Sequence, residues 1–225
     1  MISKLAAILM ITAAAFGETI SIDTSSLAGN ANAPFTLDFQ LIDGSGADDG
    51  NNTVTLSDFN FGGGSLTLVP GSEQGGVVVS TSPLEIQMTD NSFFDDVQFT
   101  IDPGSTLSFD LSATSNADIG TPDTFALAVL DSGLNNLPTS NPNNGVALVE
   151  YDFPTVDPTG VSQLILSGTT ANTDGVTIPT PTSQSVASTP EPSGLFWAAL
   201  VLPALGLLRR RARRPDAPAA EGGHS

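Results

Sequence analysis

Residues 34–43 read PFTLDFQLID. Phe35, Leu37, Phe39 and Leu41 alternate with Thr36, Asp38 and Gln40. An apolar side chain at every second position places all four on one face of an extended strand. The pattern recurs along the chain. TLSFDLSAT (106–114) alternates Leu107, Phe109, Leu111 and Ala113 with polar partners, and LEIQMTD (84–90) does the same with Leu84, Ile86 and Met88. DTFALAVLD (123–131) has no polar residue from Phe125 to Leu130, so it reads as a central strand covered on both faces. VALV (146–149) and QLILS (163–167) read as further inner strands.

Gly, Asn, Asp and Pro clusters separate these runs at the spacing of a sandwich, and no stretch shows a helical period. The expectation over 18–178 is therefore an all-β domain, a jelly-roll-like β-sandwich of about 9–11 strands. Ten of the 12 phenylalanines, all but Phe16 and Phe196, fall in this span and supply its core. Gly62-Gly63-Gly64 has no lysine after it and reads as a turn or bulge, not a phosphate cradle.

Charge is distributed unevenly. There are 24 acidic and 6 basic side chains, and the bases are Lys4, Arg209, Arg210, Arg211, Arg213 and Arg214. Nothing from Leu5 to Leu208 carries a positive side chain, yet all the acids but Asp216 and Glu221 lie there. Such a domain repels phosphate backbones, which excludes nucleic acid as a partner. Its carboxylates are left to water, hydrogen-bond donors or cations.

The same distribution limits chemistry. The chain has no Cys, and its one His is His224. Ser-His-Asp triads, Cys-His pairs, Schiff-base lysines, His- or Cys-bound zinc and arginine clamps therefore have no residues to use in the domain. Carboxylate chemistry remains, but Asp48-Asp49 and Asp95-Asp96 are sequence neighbours, and neighbours on a strand point to opposite faces. Sugar-cleaving clefts usually offer aromatic stacking surfaces, but the only Trp is Trp197, beyond the domain, and the only Tyr is Tyr151. The expectation is a protein that is not an enzyme and has no obligatory cofactor.

Calcium is the ion that the acids could take. IDGSGADDGNN (42–52) brings Asp43, Asp48, Asp49, Asn51 and Asn52 together among turn-forming glycines. Calcium takes six to eight oxygens from such loops, although this run lacks EF-hand spacing. The alternative is a hairpin loop whose side chains cap its own backbone. A second candidate is Asp90, Asn91, Asp95 and Asp96.

The ends are processing segments by pattern. MISKLAAILMITAAAFGETI carries Lys4, an apolar run from Leu5 to Phe16, and the small-x-small triplet Ala15-Phe16-Gly17. This reads as a signal peptide over 1–17 for Sec export, cut by signal peptidase between Gly17 and Glu18, with Ala15 as the second choice. At the other end, 179–189 is rich in Pro, Ser and Thr and reads as a flexible spacer. Gly194 to Leu208 is apolar and uncharged for 15 residues, short of the roughly 20 of a spanning helix. The arginines that follow should stay in the cytoplasm, with 215–225 as a tail.

Pro190-Glu191-Pro192, the apolar segment 194–208 as a transmembrane helix, and Arg209, Arg210 and Arg211 together resemble a PEP-CTERM sorting signal over 190–214. Such tails imply a transient inner-membrane anchor, cleavage by exosortase, and delivery to the cell surface or an extracellular matrix of exopolysaccharide. Here Pro215 to Ser225 extend beyond the arginines, where such tails usually stop. The alternative is a permanently anchored ectodomain. The order IDTSSLAGN, FTLDFQLIDGSGADDGNNTVTLSDFNFGGG, DNSFFDDVQFTIDPGSTLSFDLSATSNADIGTPDTFALAVLD resembles a family of small exported PEP-CTERM proteins without an assigned activity, over most of 20–131. That resemblance implies class and location, and it carries no catalytic residue. The domain is then expected to be a non-enzymatic surface or matrix protein, or alternatively a calcium-assisted carbohydrate-binding module.

Overall fold

The computed structural model of the chain describes residues 16–45, 49–114, 116–157, 159–170 and 175–186. The sorting tripeptide, the expected helix 194–208, the arginine cluster and Asp48 lie outside the described residues. The described part is all-β apart from one 3-10 turn at Ser25–Leu27, and none of its helices could cross a membrane.

Two antiparallel sheets form the body. The first runs in the order β15 (Thr182–Ser185), β1 (Phe16–Asp23), β8 (Thr106–Ala113), β3 (Thr53–Asn60), β6 (Leu84–Thr89), β5 (Gly76–Thr81). The second runs β14 (Gln163–Leu166), β11 (Ala147–Asp152), β10 (Thr124–Leu130), β2 (Phe35–Ile42), β7 (Phe94–Asp102), β4 (Ser65–Leu68). A small third sheet joins β13 (Thr159–Gly160), β12 (Thr155–Asp157) and β9 (Asp118–Ile119), with β12 parallel to β9. Pairing is nested, since β1 pairs with β8, β2 with β7 and β3 with β6.

The period-two runs account for the layers. Registers such as Ile20 opposite Phe109, Leu56 opposite Leu111 and Phe39 opposite Val97 align apolar side chains across strands. Every apolar residue of those registers is buried in one core. Phe39 spans it, meeting Phe99 at 6.1 Å and Phe109 of the facing sheet at 6.2 Å, both edge-on. Edge-to-face contacts add stability beyond the area that each ring buries. Residues Phe125 to Leu130 are buried throughout, as their unbroken apolar run requires for a strand flanked by β2 and β11.

Three expectations change. The two sheets hold six strands each, more than expected, because β4, β5 and β15 are short and weakly patterned. QLILS lies at a sheet edge as β14, where Leu164 and Leu166 are only half-buried. Part of the expected spacer is structured, since TSQS at 182–185 forms β15 on β1, with Val176 and Ile178 buried just before it. An all-polar strand has no pattern to betray it, and backbone pairing alone places it.

All four β15 side chains are exposed. Its backbone hydrogen bonds, at about 1 kcal/mol net each, are offset by about 1–2 kcal/mol of ordering entropy per residue. Truncation after Pro181 is therefore expected to move the melting temperature by less than about 3 °C. Ile178→Ala, which empties a buried site, should lower it by more, and differential scanning calorimetry of the two variants checks the order.

Candidate functional site

With no lysine or arginine in the domain, its buried acids need other partners. Asn52, Asp90 and Asp123 are all buried at one end of the sandwich, and Asp118 and Asn51 half-buried beside them.

Strand pairing builds the cluster. Thr53 of β3 sits opposite Thr89 of β6, so Asn52 and Asp90 meet one position further on. The Asn52 backbone N–H donates to both Asp90 carboxylate oxygens at 3.1 Å, and Asp90 N–H donates to the Asn52 carbonyl at 3.3 Å. Gly50, at φ 65°, turns the loop so that its N–H reaches the Asp90 carbonyl at 3.2 Å. From the other sheet, Thr124 of β10 pairs with Ile42 of β2. Asp123 therefore lies beside Gly44, whose N–H donates to its Oδ1 at 2.9 Å.

The asparagine amides then tie the carboxylates together. Asn52 Nδ2 donates to Asp123 Oδ2 at 2.8 Å and to Asp118 Oδ2 at 3.2 Å. Its Oδ1 accepts from the Thr114 hydroxyl at 2.9 Å. Asn51 Nδ2 donates to Asp118 Oδ1 at 2.6 Å and to Asp49 Oδ2 at 2.9 Å. Burial, with the neighbouring Asp123 carboxyl adding to it, pushes Asp90 up to about 7 against the pull of the Asn52 N–H. Asp118 is raised as well, first by burial and then by Asp123 and Asp49, with the Asn51 amide opposing.

Of the expected calcium ligands, Asp49 and Asn51 join this network. Asp43 is buried next to Gly44, with its N–H on the Phe93 carbonyl at 3.1 Å. Asp48 lies outside the described residues. Asp118 and Asp123 were not candidates from sequence, because no local spacing links them to 49–52. The second expected cluster is split. Asp90 belongs here, Asp95 accepts from Gly76 N–H at 2.5 Å, and Asp96 faces the other way toward Asp38.

Among the described residues, no three His, Asp or Glu side chains are gathered as a group that could hold a metal ion. As placed, Asn51 and Asn52 present N–H groups to the carboxylates, which is how a network without a cation satisfies them. A cation would need those amides to turn their oxygens inward, and Asn51 Oδ1 is buried without a hydrogen bond.

The same device recurs on the outer face of the second sheet. Asp38 and Asp96, each 5% exposed, face one another from β2 and β7. Gln40 Nε2 donates to Asp38 Oδ2 at 2.6 Å, and burial beside Asp38 pushes Asp96 up to about 8. Glu150, 1% exposed, accepts from the amides of Asn141 at 3.2 Å, Asn144 at 2.6 Å and Asn143. An open cleft of about 440 Å³ lies between the 141–144 loop and the acidic end, walled by Asp43, Gly44, Asp152, Asn143, Asn144 and the exposed ring of Phe93.

No family model, no curated protein and no solved structure matches the chain.

Proposed function

We propose that the chain is a non-enzymatic exported protein of the cell surface or extracellular matrix, delivered by its signal peptide and by a PEP-CTERM tail that exosortase removes. The observation that supports this reading is the placement of charge. Every Lys and Arg lies in the two segments with export and sorting patterns, and the 22 acids between Leu5 and Leu208 have no basic side chain among them. The nested pairing of β1 with β8, β2 with β7 and β3 with β6 supports the finer reading of a jelly-roll. In this reading the inner membrane holds the chain transiently through 194–208, and the domain then works among neutral polymers such as exopolysaccharide.

The test is the intact mass and C-terminal peptide of the protein from its host. The expected chain ends near Pro190–Pro192 and lacks the arginines. Ser225 retained in the membrane fraction would instead make the apolar run a permanent anchor.

A second reading, a calcium-assisted carbohydrate-binding module, is favoured by the cleft beside the acidic end and the exposed Phe93 ring on its wall. Aromatic rings stack on sugar faces and carboxylates accept hydroxyl protons. Retention on immobilised exopolysaccharide that disappears in EDTA would establish it, and no retention in either condition would exclude it.

A further inference from the structure

Two signal-peptidase sites satisfy the small-residue rule, with Ala13 and Ala15 before Phe16, or Ala15 and Gly17 before Glu18. The fold distinguishes them. Phe16 is the first residue of β1 and pairs with Ala113 of β8. It extends the inward face made by Ile20 and Ile22, and it packs against the core cluster. Its ring lies 4.3 Å from that of Tyr151, tilted by 32°. Tyr151 is fully buried and touches Phe153 on another side at 5.0 Å. Gly17 is also inside the sheet, since it pairs with Ser112 and its carbonyl accepts from Val186 N–H at 3.1 Å.

Cutting between Gly17 and Glu18 would remove both residues. The ring of Tyr151 would lose the cover of Phe16, and β1 would lose two ladder positions. It would also place a charged α-amino group on Glu18, in mid-sheet opposite Leu111. Cutting between Ala15 and Phe16 keeps the strand whole. There the new amino group falls at the end of β1.

We infer that signal peptidase cleaves the Ala15–Phe16 bond, so that the mature protein begins with Phe16. The bond broken is the Ala15–Phe16 amide, with water supplying the hydroxyl to Ala15 and the proton to the Phe16 nitrogen. This rests on the export reading, and the two can fail separately. Ala13→Leu puts a large residue in the small-residue pair of the inferred site alone, and Gly17→Leu does so for the other. A Cβ at Gly17 would meet only Val186, at ordinary contact distance.

The experiment is N-terminal sequencing and intact mass of the exported full-length precursor and both variants. Phe16 as first residue is expected for the parent and for Gly17→Leu, with processing at Phe16 lost for Ala13→Leu. Glu18 as first residue of the parent, or a block by Gly17→Leu with Ala13→Leu processed as the parent is, overturns the inference and leaves export standing. Met1 retained in the parent overturns both.

Discussion

Asn52→Ala should lower the melting temperature by about 10 °C. The side chain is fully buried and makes contacts no other residue replaces. Its amide donates to Asp118 and Asp123, and its carbonyl accepts from Thr114. Alanine keeps the backbone bonds to Asp90 but leaves two carboxylates and a hydroxyl short of partners. Each stranded buried group costs about 1–3 kcal/mol, and a stranded charge more. A loss of about 4 kcal/mol corresponds to roughly 8–16 °C in a domain of this size. Asn51→Ala, at a half-buried position, should cost about a third as much. Asn52→Asp should be worse than alanine at pH 8, because it removes both donors and adds a carboxylate. Thermal unfolding followed by circular dichroism checks all three. A shift under about 3 °C for Asn52→Ala would mean that water satisfies these groups and that the network does not hold this end together.

Stability should fall as the pH rises from 5 to 8. Asp90 and Asp96 have folded-state values pushed up to about 7 and about 8, by burial and by the facing Asp123 and Asp38. Unfolded, each ionises near the ordinary 3.9. Between those limits the folded state keeps protons that the unfolded state has released, so the stabilisation is complete below about pH 4 and lost by about pH 8. Each pH unit with one such proton retained is worth about 1.4 kcal/mol. The melting temperature at pH 8 should therefore be at least about 5 °C below that at pH 5.

Asp90→Asn gives a sign that general charge repulsion does not. It imitates the protonated acid, so it should match the parent near pH 5 and exceed it at pH 8. Millimolar calcium decides what the acidic end does with its charge. If a cation replaces the proton between Asp90 and Asp123, calcium restores the melting temperature at pH 8 by mass action, and Asp123→Asn abolishes the rescue. Identical curves in calcium and EDTA end the calcium reading and leave shared protons and amides as the whole account.

Much of the candidate site was hidden from sequence for a definite reason. Asp49, Asn51 and Asn52 share one loop, and their composition marked it. Asp118 and Asp123 arrive from a segment about seventy residues later, carried there by the pairing of β10 with β2. Asp95 and Asp96, grouped by composition with Asp90 and Asn91 as a second calcium candidate, point to opposite faces, and the facing acids are Asp38 and Asp96 on adjacent strands. Only Gln40 and Gln98, two positions along each strand, hint at the amides that accompany them.

The amino-acid sequence by itself determined the all-β class, the inward face of each long strand and the exclusion of cationic partners inside the domain. Those follow from period-two alternation and from charge, both local properties of the chain. The tertiary structure decided which acids meet, that the polar segment 182–185 pairs as a strand, and that Phe16 belongs to the core beside Tyr151. These depend on strand order and register, which bring together residues far apart in the chain, and no local pattern encodes them.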